Sequence, residues 1–303
     1  MSLKIRIALQ IPHPDPNKNE RFFSLNLKQG LTNEMSVSKR SRGTFVISDI
    51  GGDFRNFCRI LVRGRIIDRA LNWIFEDGHL VILGNCLDSN RDVLECLWLI
   101  YALEEKAKKE EGHVHFIWGD KELKGINGDW RFRHPKYAKL PDQDKRTTAA
   151  LYDGSNELWR WLKTKNLMER IGSILFVHGS VSMKVLYSGL HIEDINNLTR
   201  EKINNPKKFL RPPVIGDLFS NTTDSLGNLS FKEDKYKVDT ILRHFKVKTI
   251  VTGYKTANNV GIFFNGKVVN VHVDHTNEHS EGLLIKGHHF FRISNIGKAE
   301  KIF

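Results

Sequence analysis

Residues 44–53 read TFVISDIGGD. The apolar and β-branched run 44–48 predicts a short buried strand, and the turn-forming residues after it end that strand before a helical period begins at Phe54. The same pattern recurs along the chain: an apolar strand is followed by Gly, Asp or His together with a polar residue. The strands predicted in this way are 44–48, 79–83, 114–118, 174–177 and 248–252. Helical patterns between them predict a βαβ arrangement with a largely parallel sheet, an α/β fold.

The rest of the chain is organised around this repeating unit. Residues 260–264 and 267–273 flank Asn265-Gly266 and predict a hairpin with a type I′ turn, and 283–285 and 290–293 complete a C-terminal antiparallel set. We expect residues 1–43 to form an extended N-terminal segment and 44–303 to form one domain. Two polar stretches, near 125–155 and 205–230, are expected to be loop-rich insertions in that domain.

Composition narrows the functional classes. The 303 residues carry 47 Lys and Arg against 35 Asp and Glu, a net charge of +12, and the cations are dispersed rather than clustered. A solvated basic surface is therefore favoured over a nucleic-acid-binding module, which stays open as an alternative. The three cysteines, Cys58, Cys86 and Cys96, are too scattered for a disulfide framework or a zinc module, and Cys86 is expected to act as a small apolar residue. With no apolar run long enough to span a membrane, we expect a cytoplasmic protein with no membrane partner.

Polar side chains follow the predicted strands at the point where each strand ends. In an open α/β sheet these carboxyl ends meet at one crevice, where ligands bind. The residues expected to gather there are Asp49, Asn85, Asp88, Asp120, Lys121, His178 and Tyr254. This mixture of acids, bases and an amide suits a metal or a phosphate; the alternative is a series of ordinary strand-end turns.

In order and spacing, the blocks 48–53, 84–88, 119–122, 177–180 and 253–254 resemble the signature blocks of calcineurin-like metallophosphoesterases. The segments 157–162, 174–179 and 188–190 are similar to the bacterial, Shewanella-like branch of the phosphoprotein phosphatases. The resemblance covers about 44–293. It implies a central β-sandwich flanked by helices, with two metal ions at the strand ends and a bridging hydroxide that attacks phosphorus.

Carried over position by position, the resemblance also shows where this chain departs from the family. Asp49 and His178 stand where the family has those ligands. The departures are Gly51 and Tyr254 for two histidines, Asn85 for the bridging aspartate, Asp120 for an asparagine, Lys121 for the histidine that protonates the leaving group, and Asp88-Ser89-Asn90 for Asp-Arg-Gly. A neutral amide is a poor bridge between two dications, and the Lys121 ammonium would repel an ion beside it.

These departures lead to the predictions for the site. We expect no cofactor; the alternative is one weakly held divalent ion (Mn, Fe or Zn) at Asn85, Asp120 and His178. Lys121, at the position of the family's catalytic histidine, is expected to form ion pairs with Asp49 and Asp120, or else to point to solvent. His272, His275 and His279 raise the question of a separate metal site, and surface or sheet-packing histidines are the favoured interpretation.

The functional prediction is a catalytically degraded pseudophosphatase that binds a phosphorylated partner or a phosphate ligand. Two alternatives stay open. One is an active phosphoesterase with a reduced, one-metal site, and the other is the nucleic-acid-binding module that would use the basic surface.

Overall fold

The computed structural model describes residues 5–13, 15, 17–88, 90–126, 134, 156–204, 233–253, 256–275 and 279–303. The strands are β1 (Arg6–Ile11), β2 (Arg21–Asn26), β3 (Val37–Ser38), β4 (Gly43–Ile47), β5 (His79–Ile82), β6 (His113–Phe116), β7 (Met168–Ile171), β8 (Ile174–Val177), β9 (Thr249–Thr252), β10 (Gly261–Phe263), β11 (Val268–Asn270), β12 (Glu281–Lys286), β13 (His289–Ser294) and β14 (Glu300–Lys301). The helices are α1 (Phe54–Arg63), α2 (Val93–Lys109), α3 (Asp120–Ile126), α4 (Glu157–Leu162), α5 (Met183–Tyr187), α6 (Ile192–Asn204) and α7 (Glu233–His244). Within these residues, no helix is both long and apolar enough to cross a bilayer.

Two six-stranded sheets form the sandwich that the resemblance implied, and this prediction is confirmed. One sheet has the order β14-β13-β12-β4-β5-β6 and the other β10-β11-β9-β8-β7-β3. Strand alternation explains how both faces of β4 are buried: Val46 belongs to the apolar layer between the sheets, whereas Phe45 and Ile47 belong to the layer shared with the helices. Both faces of β4 are therefore covered by apolar side chains, one face in the layer between the sheets and the other in the layer shared with the helices.

The prediction of a largely parallel sheet is wrong, because both sheets are mixed. Strands β4, β5 and β6 are parallel, as the βαβ pattern requires, but β12 runs antiparallel to β4 and β13 antiparallel to β12. The C-terminal chain thus returns along the sheet by hairpins. The hairpin predicted at Asn265-Gly266 is confirmed: both residues have positive φ, 55° and 83°, as a type I′ turn demands.

The N-terminal segment contains three of the strands. β1 and β2 pair as an antiparallel ribbon, and β3 extends the second sheet beside β7. Between them, Glu34 binds the ammonium of Lys165 at 3.1 Å, and Glu104 of α2 binds the same buried ammonium at 2.6 Å. The segment is therefore tied to the domain by buried charges as well as by strands. The insertions expected near 125–155 and 205–230 lie outside the described residues, apart from 125–126 and 134.

Candidate functional site

The carboxyl ends of β4, β5, β6 and β8 bring Asp49, Asn85, Asp120 and His178 together, as the strand-end argument predicted. Asp49 and Asn85 both have positive φ, 52° and 55°, a conformation that Asp and Asn tolerate better than other residues with a side chain. The turn after each strand therefore aims a short polar side chain back across the sheet edge. Such strained strand ends are typical of functional sites.

The Asn85 side chain lies at the centre of this group and is almost fully buried. Its amide nitrogen donates to Asp49 Oδ1 at 2.7 Å and to Asp120 Oδ1 at 2.8 Å. Its amide oxygen accepts the backbone N–H of Lys121 at 3.0 Å, which fixes the orientation of the amide. Each hydrogen of the NH₂ group is thus donated to a different carboxylate, so a neutral amide bridges Asp49 and Asp120.

Charge balance around Asp120 comes from His178 and Lys124. His178 Nε2 lies 3.3 Å from Asp120 Oδ1, and Lys124 Nζ lies 2.6 Å from Asp120 Oδ2. Although burial opposes the charge on His178, its hydrogen bond to Asp120 and the nearby Asp49 raise the pKa of His178 to about 9. Although burial also disfavours an ionised Asp120, the bonds from His178 and Lys124 lower its pKa. An imidazolium and a carboxylate therefore face each other at neutral pH, with His178 Nδ1 donating to the carbonyl of Leu83 at 2.6 Å.

The expected ion pairs of Lys121 with Asp49 and Asp120 are not formed, and this prediction is wrong. The Lys121 ammonium pairs with Asp88, and the partner of Asp120 is Lys124. The reason is geometric: Lys124 lies one helical turn after Asp120 on α3, so the two side chains share a face. Burial lowers the pKa of Lys121, an effect that the field of Asp49 opposes. Tyr254, which was expected at the site, lies outside the described residues.

The sequence analysis did not identify Glu122, whose side chain holds the backbone of the turns around the site. Its carboxylate is fully buried and accepts the backbone N–H groups of Asn85 (2.8 Å), Leu87 (3.0 Å) and Gly119 (3.0 Å). Burial raises the pKa of Glu122, and the backbone hydrogen bonds oppose this rise. Gly119 is required beside it, because a Cβ there would lie 2.4 Å from Asn85 Oδ1. The i,i+4 spacing of Asp120 and Lys124 predicts that these two side chains pair. Nothing in the spacing predicts the buried role of Glu122.

His272, His275 and His279 lie between β11 and β12 and do not form a separate metal site among the described residues. His272 Nδ1 lies 3.5 Å from Asp49 Oδ2, so this residue borders the cleft. His275 is held by Ser280 Oγ and by the carbonyl of Ser48, and burial lowers its pKa. His279 Nε2 approaches the Asn258 carbonyl at 3.3 Å. Cys86 is fully buried with a raised pKa, which confirms it as a small apolar residue rather than a reactive thiol.

The residues present do not fit the dinuclear metal centre that the fold implies. Within the described part of the chain, no three His, Cys, Asp or Glu side chains converge as metal ligands would. The two carboxylates that face each other, those of Asp49 and Asp120, already accept the hydrogens of one amide, and His178 Nε2 lies against the carboxylate of Asp120. What the arrangement offers is a set of fixed charges, with the Lys121 and Lys124 ammonium groups partly exposed at its edge.

Comparison with known proteins assigns the family. The profile of the family described as calcineurin-like phosphoesterase matches residues 44–268, most of the chain. The chain belongs to the calcineurin-like phosphoesterase family. The match ends before β12, although β12 lies directly beside β4 in the sandwich. The family resemblance read from the signature blocks is therefore confirmed.

Individual relatives of this calcineurin-like phosphoesterase include Shewanella-like phosphatases. It is 25% identical over 269 residues to Shewanella-like protein phosphatase 1 of Plasmodium berghei, covering 84% of this chain and 72% of that protein. It superposes on the crystal structure of a cold-active protein-tyrosine phosphatase of a psychrophilic Shewanella with a TM-score of 0.83, at 25% identity and 93% coverage of both chains. A protein serine/threonine phosphatase of Saccharomyces cerevisiae, 14% identical with a TM-score of 0.58 over 84% of this chain and 77% of that one, shares the fold. The similarity to Shewanella-like phosphatases is thus confirmed.

Proposed function

We propose that this calcineurin-like phosphoesterase is a pseudophosphatase, a protein that binds a phosphorylated protein partner at its cleft without hydrolysing the phosphate. The observation that carries the proposal is the Asn85 amide, whose nitrogen joins Asp49 and Asp120. In a two-metal phosphoesterase the ions supply the hydroxide and clamp the reacting oxygens. Here Asn85 stands where the resemblance places the bridging carboxylate, and its amide nitrogen donates to Asp49 and Asp120 instead.

The charges of the cleft support inactivity over a one-metal hydrolase. A one-metal site would need Asp120 and His178 as free ligands. Instead these two groups bind each other, and Lys124 occupies the second carboxylate oxygen of Asp120. A dication at this site would have to displace a proton from His178. It would also be repelled by the Lys124 ammonium, which lies against the Asp120 carboxylate that the ion needs as a ligand.

The ammonium groups of α3 support the binding of phosphate. The Lys121 and Lys124 side chains keep 27% and 37% of their surface exposed, so a phosphate can approach them from solvent. Their present carboxylate partners are themselves partly exposed, and such ion pairs contribute only about 0–1 kcal/mol. A phosphate dianion can therefore compete for both ammonium groups, as charge-assisted hydrogen bonds to phosphate are the stronger kind. The names of the relatives, which are protein phosphatases, favour a phosphoprotein as the ligand.

Binding and turnover need separate measurements. Fluorescence anisotropy compares phosphoserine and phosphotyrosine peptides with their unphosphorylated forms, on the wild type and on the double variant Lys121→Ala/Lys124→Ala. We expect at least one phosphopeptide to bind more tightly than its unphosphorylated form and to lose about tenfold or more in affinity in the variant. The matched control is Lys108→Ala/Lys109→Ala, which removes two exposed lysines at the end of α2. Equal binding of both peptide forms would refute the binding half of the proposal.

Inactivity is tested by elemental analysis and by a p-nitrophenyl phosphate assay with added Mn²⁺. We expect substoichiometric metal and no turnover above that of the His178→Ala variant. About two Mn, Fe or Zn ions per chain, or turnover that His178→Ala abolishes, would make the protein an active hydrolase.

A further inference from the structure

A second cavity lies at the opposite end of the sandwich from the cleft. It has a volume of about 350 Å³ and opens between the two sheets where their parallel strands begin. Thr44 and Thr249, at the start of β4 and β9, line it, whereas Asp49 and Gly253 follow the other ends of the same strands. At about 3.3 Å per residue, the two sites are roughly 15 Å apart along the strands. The cavity is therefore separate from the cleft.

The rim of this cavity is basic. Arg40, Lys248 and Lys267 contribute to its lining together with His288, and no Asp or Glu lines it among the residues that the structure describes. Lys267 also binds Asp239 at 2.6 Å, which lies outside the lining and neutralises part of this charge. Arg40 and Lys248 are exposed. A surplus of positive charge around one opening selects anions.

The lining of the cavity also contains apolar residues and two aromatic rings. Phe290 and Phe303 stack with their ring centroids 5.7 Å apart, and both rings line the cavity beside Ile174 and Ile285. The backbone of the rim is held in place: the Lys248 N–H donates to the Ser173 carbonyl at 2.7 Å and Thr249 Oγ1 to the Gly266 carbonyl at 3.0 Å. The volume falls within the roughly 300–1,000 Å³ range of pockets that hold small organic ligands. The cavity thus combines apolar and aromatic lining residues with cationic ones.

We propose that this cavity binds a small phosphate monoester that carries a flat aromatic group, with the phosphate at Arg40 and Lys248 and the flat group against Phe290 and Phe303. Both parts of the lining are needed for this ligand. Inorganic phosphate would leave the apolar lining residues uncovered, and an uncharged ring would leave the cations without an anionic ligand. The inference does not depend on the pseudophosphatase proposal, because it uses none of the cleft residues.

The probe is AMP, compared by isothermal titration calorimetry with adenosine and with ribose 5-phosphate. We expect AMP to bind with a dissociation constant of low millimolar or tighter and both fragments to bind at least about tenfold more weakly. Lys248→Glu is expected to weaken AMP binding about tenfold or more, and Phe303→Ala to weaken it as well. The matched control is Lys286→Ala, an exposed lysine at the end of β12 that does not line the cavity.

Thermal unfolding of each variant shows whether it is folded, so that a loss of binding is not mistaken for a loss of structure. The Lys121→Ala/Lys124→Ala variant of the cleft is expected to bind AMP like the wild type. No AMP binding by the folded wild type, unchanged binding in Lys248→Glu, or adenosine binding as tight as AMP would overturn the proposal. Loss of AMP binding in the cleft variant would place the nucleotide in the cleft and would overturn it too.

Discussion

The amide nitrogen of Asn85 lies 2.8 Å from Asp120 Oδ1, and the orientation of that amide is fixed because its oxygen accepts the Lys121 N–H. The same nitrogen donates to Asp49. A neutral side chain therefore stabilises two facing carboxylates that would otherwise repel each other in a partly buried site. Together with the His178 imidazolium and the Lys124 ammonium, which both pair with Asp120, this amide offsets the repulsion between the strand-end carboxylates.

Replacing Asn85 with aspartate should destabilise the protein in a way that metal reverses. Asn85→Asp removes the shared donor and adds a third carboxylate, so we expect the free energy of unfolding at pH 7 to fall by about 2–4 kcal/mol. Because three carboxylates can share a dication, millimolar Mn²⁺ should restore part of the lost stability. Chemical denaturation with and without Mn²⁺ measures both effects.

Asn85→Ala is the matched control, since it removes the same hydrogen bonds without adding charge. It should lose less stability than the aspartate variant and should not respond to Mn²⁺. The wild type should not respond to Mn²⁺ either. A rise in wild-type stability with Mn²⁺ would contradict the account of the cleft given above.

A methyl group at Gly119 should disrupt the site. A Cβ there would lie 2.4 Å from Asn85 Oδ1 and 2.5 Å from the Asn85 backbone nitrogen, neither of which can move freely. We expect Gly119→Ala to cost about 1–3 kcal/mol of unfolding free energy. Gly30→Ala is the control, because a Cβ at Gly30 meets nothing within 4 Å, and it should change stability by less than about 0.5 kcal/mol. Equal effects of the two substitutions would show that close approach at Gly119 is unimportant.

Buried histidines should make the protein sensitive to acid. His79 Nδ1 shares a hydrogen bond of 2.9 Å with His115 Nε2, and burial with the nearby His115 and His113 lowers the pKa of His79 to about 3. The unfolded chain takes up this proton near pH 6.5, whereas the folded chain does so only near pH 3. Stability from this group is thus complete above pH 6.5 and is lost as the pH falls from 6.5 towards 3.

The variant His79→Gln isolates this contribution from those of other titrating groups. Between pH 7 and pH 4 its unfolding free energy should fall less steeply than that of the wild type, by up to about 3 kcal/mol. Denaturant titrations across this range supply the two slopes. Parallel slopes would mean that His79 has a similar pKa in the folded and unfolded states. His178, whose pKa is raised, acts in the opposite sense and loses its contribution as pH rises towards 9.

The buried ammonium of Lys165 should control how firmly the N-terminal segment is attached. Its side chain is 2% exposed and lies between Glu34 and Glu104. Lys165→Met keeps most of the volume but removes the cation that Glu34 and Glu104 share. The expected cost is about 1–3 kcal/mol, because Lys28 still pairs with Glu104 and His113 with Glu34. Limited proteolysis should then cut near Glu34 faster than in the wild type. The control is Lys163→Met, two residues away and only partly buried, which should leave both stability and the cleavage rate close to wild type.

Periodicity and turn residues were enough to predict the strands that carry the site. The strands predicted at 44–48, 79–83, 114–118, 174–177 and 248–252 correspond to β4, β5, β6, β8 and β9. The antiparallel C-terminal set predicted at 283–285 and 290–293 is confirmed as β12 and β13. Its place beside β4, which makes that sheet mixed, could not be predicted in the same way. An antiparallel β12 and a parallel β5 are both buried against β4 and carry similar apolar residues, so local pattern does not distinguish them.

The composition of the cleft follows from the linear sequence alone, because parallel strands must end at a common edge and each of them ends in a polar residue here. The pairing of the charged side chains in the cleft was decided only by the tertiary structure. Lys121 precedes Lys124 by less than one helical turn, so the helix directs one ammonium to Asp88 and the other to Asp120. The Asn85 amide likewise depends on a backbone N–H from another strand end. A hydrogen bond needs a donor–acceptor distance of about 3 Å and good alignment. Such bonds therefore depend on tertiary packing, which the spacing of residues in the sequence does not specify.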